Sequence, residues 1–260
     1  MFLVLMVLFI LAGCGGEEKS VGTENSRDWR ERVVEKYEGV KPRQWGERLE
    51  GVFTGIESKE KIVALTLDAC GGKYDKELIE MLRRKNIPAT VFASGGWIEN
   101  HKDVFKKLAG DTLFAIANHG YLHRPLSVTG RSVYGIKGTS SVREAVAEIH
   151  KNQRLIKDLS GIEAKFFRPG TAYFDEIAVN IVYEAGLKPV NYTIAGDLGG
   201  TAGQKQIISA LAGAKPGDIL LFHMNLPDSV IARGLEAGIE NLRKKGFEFV
   251  QLEDYEDRLK

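Results

Sequence analysis

Two histidines four residues apart, His119 and His123, are the pair in this chain best spaced to do chemistry together. On one helical turn their rings lie on the same face, where the ring nitrogens can converge on a divalent metal. Other chemically capable groups recur along the sequence. Asp68 lies in Thr66-Leu67-Asp68-Ala69-Cys70-Gly71, Arg168 in Phe166-Phe167-Arg168-Pro169-Gly170, and His223 closes Ile219-Leu220-Leu221-Phe222-His223, with Asp197 between the last two. The segment Lys61–Gly72 begins as a β-branched apolar run and stops at Asp68 and a Gly-Gly pair, the pattern of a buried strand emptying into a tight turn. On that stretch alone Asp68 reads more readily as a turn or helix cap than as a site residue.

The elements that position these groups alternate regularly. Strand-like runs fall near 61–67, 89–94, 112–117, 165–168, 188–194, 218–223 and 247–250, with helical patterns near 75–86, 101–109, 141–159, 175–186, 204–214 and 229–245. Strand, helix, strand in this order implies parallel strands with right-handed crossovers. The fold class is therefore α/β: a distorted, seven-stranded (β/α) barrel, with a doubly wound open sheet as the alternative. In either, the strand C-termini share one face, where such folds place their sites. Asp68, His119, Arg168, Asp197 and His223 each end or follow a different strand. Turn capping does not account for that pattern. The long, glycine-bearing connection from His123 to Ser140 reads as a functional loop.

The ends and the composition bound the function. Met1–Ile10 is unbroken apolar sequence followed by Leu11-Ala12-Gly13-Cys14 and a polar stretch. That is too short to span a bilayer but suits the hydrophobic region of a secretory signal, although no Lys or Arg precedes it. Leu-Ala-Gly-Cys resembles a bacterial lipobox, with Cys14 as the lipidated residue. The expected organisation is a signal over 1–14, a tether and irregular lead-in over 15–57, and one domain over 58–260. Ser26 and Asp28 are N-cap candidates for a helix over Trp29–Tyr37, and Asp75 for the helix after the first strand. With 43% hydrophobic and 27% charged residues and a formal net charge of +1, the chain has no electrostatic case for nucleic acid. Only two cysteines occur. With Cys14 lipidated, no disulfide is expected, and Cys70 is either small hydrophobic packing or a site residue.

The set resembles the NodB-homology polysaccharide deacetylases, carbohydrate esterase family 4, over about residues 60–252. The family's Thr-Phe-Asp-Asp-Gly is similar to Thr66–Gly71, its His-Ser/Thr-x-x-His to His119-Gly120-Tyr121-Leu122-His123, its Arg-x-Pro-Tyr in part to Arg168-Pro169-Gly170, and its Leu-x-His to Leu221-Phe222-His223. The aspartate of a further, Trp-bearing motif is echoed by Asp197. The resemblance implies a metal-dependent N-deacetylase on a NodB-type barrel, using zinc or alternatively cobalt or nickel. It implies Asp68 as the general base that activates water, His119 and His123 as metal ligands, and His223 as the acid for the leaving amine. Arg168 would hold Asp68 ionised, and Asp197 would orient His223.

One departure matters. The family's second aspartate, a metal ligand, falls at Ala69 here, and a methyl group coordinates nothing. Asp68 itself or the Cys70 thiolate could serve as third ligand, Asn118 could fill a vacant position, or the site could be catalytically dead. The expectation is a hydrolase of carbon–nitrogen bonds, lipid-anchored to the periplasmic or extracellular face of a bacterial membrane. Its substrate would be an N-acetylated amino sugar in an envelope or extracellular polysaccharide. The alternatives are a degenerate glycan-binding lipoprotein on the same fold, and amide hydrolysis on a non-sugar substrate. Trp45, Trp97, Tyr121 and Tyr173 could stack on sugar rings or simply pack.

Overall fold

A computed structural model describes residues 28–260. The expected signal, the lipobox Cys14 and nearly all of the tether lie outside the described residues. No helix among them is long and apolar enough to cross a membrane.

The centre is β1 (Ile62–Ala69), buried along its whole length. A strand hidden on both faces is characteristic of a parallel sheet covered by helices, which explains the continuous apolar run. Around it stand β2 (Ala89–Ala93), β3 (Phe114–Asn118), β6 (Phe166–Phe167), β7 (Lys188–Pro189), β8 (Ile194–Ala195), β9 (Asp218–His223) and β10 (Glu248–Val250). The order is β7-β6-β3-β2-β1-β9-β8, with β10 paired to the start of β1, and every pairing is parallel. The sheet curls into an incomplete barrel whose end strands, β7 and β8, are joined by residues 190–193.

Expected strands and helices are all present, with instructive differences. The run 188–194 divides into β7 and β8, because the carbonyls of Val190 and Asn191 turn to accept hydrogen bonds from Arg168 instead of a neighbouring strand. The connection after His123 carries a small antiparallel hairpin, β4 (Ser132–Val133) and β5 (Ile136–Lys137). Its base is tied by Arg124, which donates to the carbonyls of Lys137 and Gly138.

Among the described residues eight α-helices flank the strands: α1 (Trp29–Tyr37), α2 (Lys76–Arg84), α3 (Gly95–Asn100), α4 (Lys102–Ala109), α5 (Val142–Ser160), α6 (Glu176–Glu184), α7 (Gln204–Ala212) and α8 (Ile231–Lys244). Local caps fix several starts. Asp28 accepts from the Arg30 amide, Asp75 from Leu78, Ser94 from Trp97 and Ser141 from Glu144. The six-residue α3 had no periodic signal in the sequence. The lead-in is irregular, as expected, and is strapped to the domain: Gly46 and Phe174 exchange backbone hydrogen bonds of 3.0 Å, and the Glu176 carboxylate accepts from the Arg43 and Gln44 amides.

A C-terminal 3-10 segment (Leu252–Arg258) packs against β2. There Glu253 accepts a 2.9 Å hydrogen bond from Thr90, and burial pushes its carboxyl up to about 7. A carboxyl raised on folding adds stability below its unfolded value near 4.5, and that stability is lost as pH rises through about 7. Urea unfolding should therefore show stability falling by on the order of 3 kcal/mol across that window. Glu253→Gln should flatten the decline.

Candidate active site

Alternation along β1 decides which of its residues reach the site. Val63, Leu65, Leu67 and Ala69 belong to the core beneath the outer helices, whereas Ile62 and Ala64 belong to the barrel interior. Thr66 and Asp68 continue the interior series and both meet Arg168. Ala69 is thus fully buried against the outer layer. Past the strand end, Cys70 returns to the cavity.

Arg168 leaves β6 and is wholly buried. Its Nη1 donates to Asp68 Oδ1 at 2.7 Å and to Thr66 Oγ1 at 3.0 Å, its Nε to the Val190 carbonyl at 3.1 Å, and its Nη2 to the Asn191 carbonyl at 2.9 Å. The guanidinium also lies 4.0 Å from the Phe92 ring centroid. Burial alone would raise the Asp68 carboxyl, but Arg168, with His119 and His223, outweighs it and keeps the group ionised at neutral pH.

His119 and His123 do converge, with ring centroids 4.9 Å apart, but not on a helical turn. The chain after β3 bends irregularly, Gly120 has φ +77°, and His123 itself is left-handed at φ +56°. A non-glycine residue held there stores on the order of 1 kcal/mol or more of strain. Two close approaches enforce this path. A Cβ on Gly120 would lie 2.6 Å from Glu148 Oε1, and one on Gly170 would lie 2.3 Å from the His123 carbonyl oxygen. Glu148, buried on α5, accepts from the amides of Leu122 (2.8 Å) and Arg124 (3.2 Å). Asn152, one turn further along α5, donates to Asn118 Oδ1, which also accepts from the Gly120 amide.

Donors for a metal gather at this bend. His119 Nδ1 is committed to the Arg168 carbonyl at 2.9 Å, which fixes the tautomer and leaves Nε2 facing Cys70 Sγ at 3.5 Å. One ligand atom each from Cys70, His119 and His123 lies within 4.8 Å of the others. His123 Nε2 is buried without a hydrogen-bond partner, a cost of about 1–3 kcal/mol that a bound ion removes. Burial would raise the Cys70 thiol, yet the surrounding histidines bring it well below its usual range, toward the thiolate a metal requires. One sulfur and two imidazole nitrogens with an open side suit zinc. Asp68 lies outside this triad, its Oδ2 3.5 Å from His119 Nε2. Asn118 is no candidate ligand, because its amide is consumed by Ile149, Gln153, Asn152 and Gly120.

Across the cavity, the Asp197 carboxylate accepts from the His223 amide (2.7 Å) and from its ring Nδ1 (3.0 Å). Burial would lower the imidazole, but Asp197 and Cys70 hold it well above its ordinary value. Asp68, Cys70, His123 and His223 line one cavity of about 680 Å³. Of the aromatic residues expected near a sugar, Trp97 is fully buried in the core and cannot stack on a ligand. Tyr121 bonds Glu99 outside the cavity. Trp45 and Tyr173 pack on each other at 5.6 Å beside the hairpin.

Residues 55–190 match the polysaccharide deacetylase family model, just over half of the chain. The chain belongs to the polysaccharide deacetylase family. It is 27% identical over 216 residues to the uncharacterized protein YlxY of Bacillus subtilis, covering 81% of this chain and 62% of that one. It is 24% identical to a peptidoglycan-N-acetylglucosamine deacetylase of Bacillus cereus, over 81% of this chain and 74% of that one. Among solved structures it is similar to wild-type BA3943, described as a CE4 family pseudoenzyme from Bacillus anthracis. The TM-score is 0.66 at 21% identity, covering 78% of this chain and 67% of that one. A mutant of BA3943 with restored enzymatic activity is equally similar in fold, at TM-score 0.66. The family fold, parallel strands curled into an incomplete barrel, agrees with the sequence expectation.

Glu148 and Asn152 escaped sequence reading although they carried a signal: two polar residues one turn apart in the buried stripe of α5, beside Ala145 and Ile149. Removing the acceptor with Glu148→Ala should release the Leu122 and Arg124 amides and loosen His123. Zinc affinity, measured by chelator competition, should fall about 10- to 100-fold, and Glu148→Gln should retain most of it.

Proposed function

We propose that this chain is a metal-dependent hydrolase that removes acetyl groups from an N-acetylated amino sugar of a cell-envelope or extracellular polysaccharide. The observation that carries the reading is one cavity in which three sets of side chains face each other: Cys70, His119 and His123; Asp68 on Arg168; His223 on Asp197. Family membership and the deacetylase relative support the reaction class. The lipobox at Cys14 supports export and a lipid anchor, the residues before the domain serving as signal and tether.

Cys70, His119 and His123 would hold the ion, with the thiolate standing where the family places a carboxylate. A divalent ion bound there supplies Lewis-acid polarisation of the acyl carbonyl. Asp68, kept ionised by Arg168, takes a proton from the water that attacks the acetamide carbon. As the carbon–nitrogen bond breaks, His223 gives a proton to the leaving nitrogen, so acetate and a free amine result. Asp197 fixes the ring so that Nε2, not Nδ1, is presented, and it keeps the imidazole charged until the proton is needed.

A second reading, a glycan-binding protein without turnover, is favoured by the likeness to a pseudoenzyme and by a thiol at Cys70 in place of a carboxylate in the metal-binding triad. The two separate on the purified full chain loaded with Co²⁺. The hydrolase should bind one equivalent, show a thiolate-to-cobalt charge-transfer band, and release acetate from N-acetylglucosamine oligomers or peptidoglycan. Cys70→Ala should lose the band and about a hundredfold or more in kcat/KM, while Cys70→Asp should lose the band and keep much of the activity. Stoichiometric metal with no acetate from any of these glycans would sink the enzyme reading.

The acid–base pair makes a further expectation. Because His223 is held above its ordinary value of 6.5, activity should persist beyond neutral pH before the alkaline limb. Asp197→Asn should move that limb to lower pH and reduce kcat by about a hundredfold.

A further inference from the structure

Beside the catalytic groups, the cavity wall is built from residues that no family motif contains. Glu47 comes from the lead-in and Tyr192 from the β7–β8 link, both outside the matched segment 55–190, while Tyr134 sits at the tip of the β4–β5 hairpin. All three line the same cavity as Asp68 and His223. Tyr192 donates to Glu47 Oε2 at 3.1 Å, and Tyr134 donates to Oε1 at 3.5 Å. Asn191 fixes the Glu47 backbone by donating to its carbonyl at 2.6 Å. The carboxylate is thus placed by three elements that meet only at the cavity mouth.

Each oxygen of Glu47 accepts from one phenol and keeps a free lone pair. Neither phenol can surrender its proton easily: desolvation at the hydroxyl end of an otherwise exposed ring, together with Tyr173 and Glu47, raises Tyr134, and burial with Glu47 raises Tyr192 as well. Both therefore stay donors toward the carboxylate. Tyr134 is 72% exposed, yet its ring is not loose. It stands edge-on to Tyr173 at 5.9 Å and 89°, and Tyr173 is backed by Trp45. An aromatic face presented to solvent beside a carboxylate with free lone pairs is a surface for a pyranose, one part for the ring face and one for its hydroxyls.

The charge balance narrows the sugar. No lysine or arginine lines the cavity, and Asp68 is neutralised by Arg168 behind it. Among the described residues Glu47 makes no ion pair and its carboxylate is met by the two phenols, while of the imidazoles that line the cavity His223 is already paired with Asp197. A ring carrying its own carboxylate would meet this group as a like charge, which disfavours its binding.

We propose that Glu47, Tyr134 and Tyr192 form a subsite for an uncharged N-acetylhexosamine next to the residue being deacetylated, and that Glu47 excludes a neighbour bearing a carboxylate. This rests on the deacetylase reading and sharpens it, favouring a homopolymer of N-acetylglucosamine over a strand alternating with N-acetylmuramic acid.

Two probes test it on the purified full chain: the tetramer of N-acetylglucosamine, and a tetramer alternating N-acetylglucosamine with N-acetylmuramic acid. The neutral tetramer should be preferred in kcat/KM by about tenfold or more. Glu47→Gln should erase most of that preference by lowering KM for the acidic tetramer, and Tyr134→Ala should raise KM for the neutral one about tenfold, with the smaller change in kcat. Equal use of both tetramers by the wild type, or a preference unchanged in Glu47→Gln, overturns the subsite and leaves deacetylation standing. Calorimetry with the same probes gives the converse: Glu47-dependent preference in binding without acetate release upholds the subsite and overturns the hydrolysis. Neither binding nor release overturns both.

Discussion

The Arg168 guanidinium has no access to solvent, so each of its donors has to be satisfied from within the protein. That constraint reaches far beyond the single ion pair with Asp68. It takes the carbonyls of Val190 and Asn191 away from strand pairing, and so breaks what would be one strand into β7 and β8. It orders Thr66, which passes a hydrogen bond on to the Leu220 carbonyl in β9. Through its own carbonyl, Arg168 also holds His119 Nδ1 and with it the direction of Nε2. Asp68, His119 and the barrel seam are therefore set by one residue, at the cost of desolvating a full charge.

The histidine pair shows a different economy. No regular element carries His123, so its position is held by packing against Gly120, Gly170 and Glu148 and by a left-handed backbone. Strain and an unpartnered ring nitrogen coincide at this one residue.

Much of this architecture was legible in the sequence, and the limits have physical reasons. Five chemical groups at strand ends fixed the face of the barrel, because strand patterns and their termini are local signals. The His119–His123 spacing suggested the right convergence by the wrong route, since four residues on a helix and four residues through a glycine bend bring rings together alike. Reading Ala69 as an empty ligand position overlooked period-two alternation: the strand turns residue 69 outward and residue 70 inward. Tyr134, Glu47 and Tyr192 could not be grouped from sequence at all, because their proximity depends on how a hairpin, a lead-in and a link cross in space.

The outward turn of residue 69 bears on how such a protein can change over generations. Neighbouring positions at the end of β1 have separate surroundings: Ala69, paired with Ala93, packs beneath the helices, and Cys70 lines the cavity. In this chain a carboxylate at 69 would be buried among apolar side chains, at a cost to folding. A change of side chain at 70 therefore alters the cavity, whereas a change at 69 alters the core.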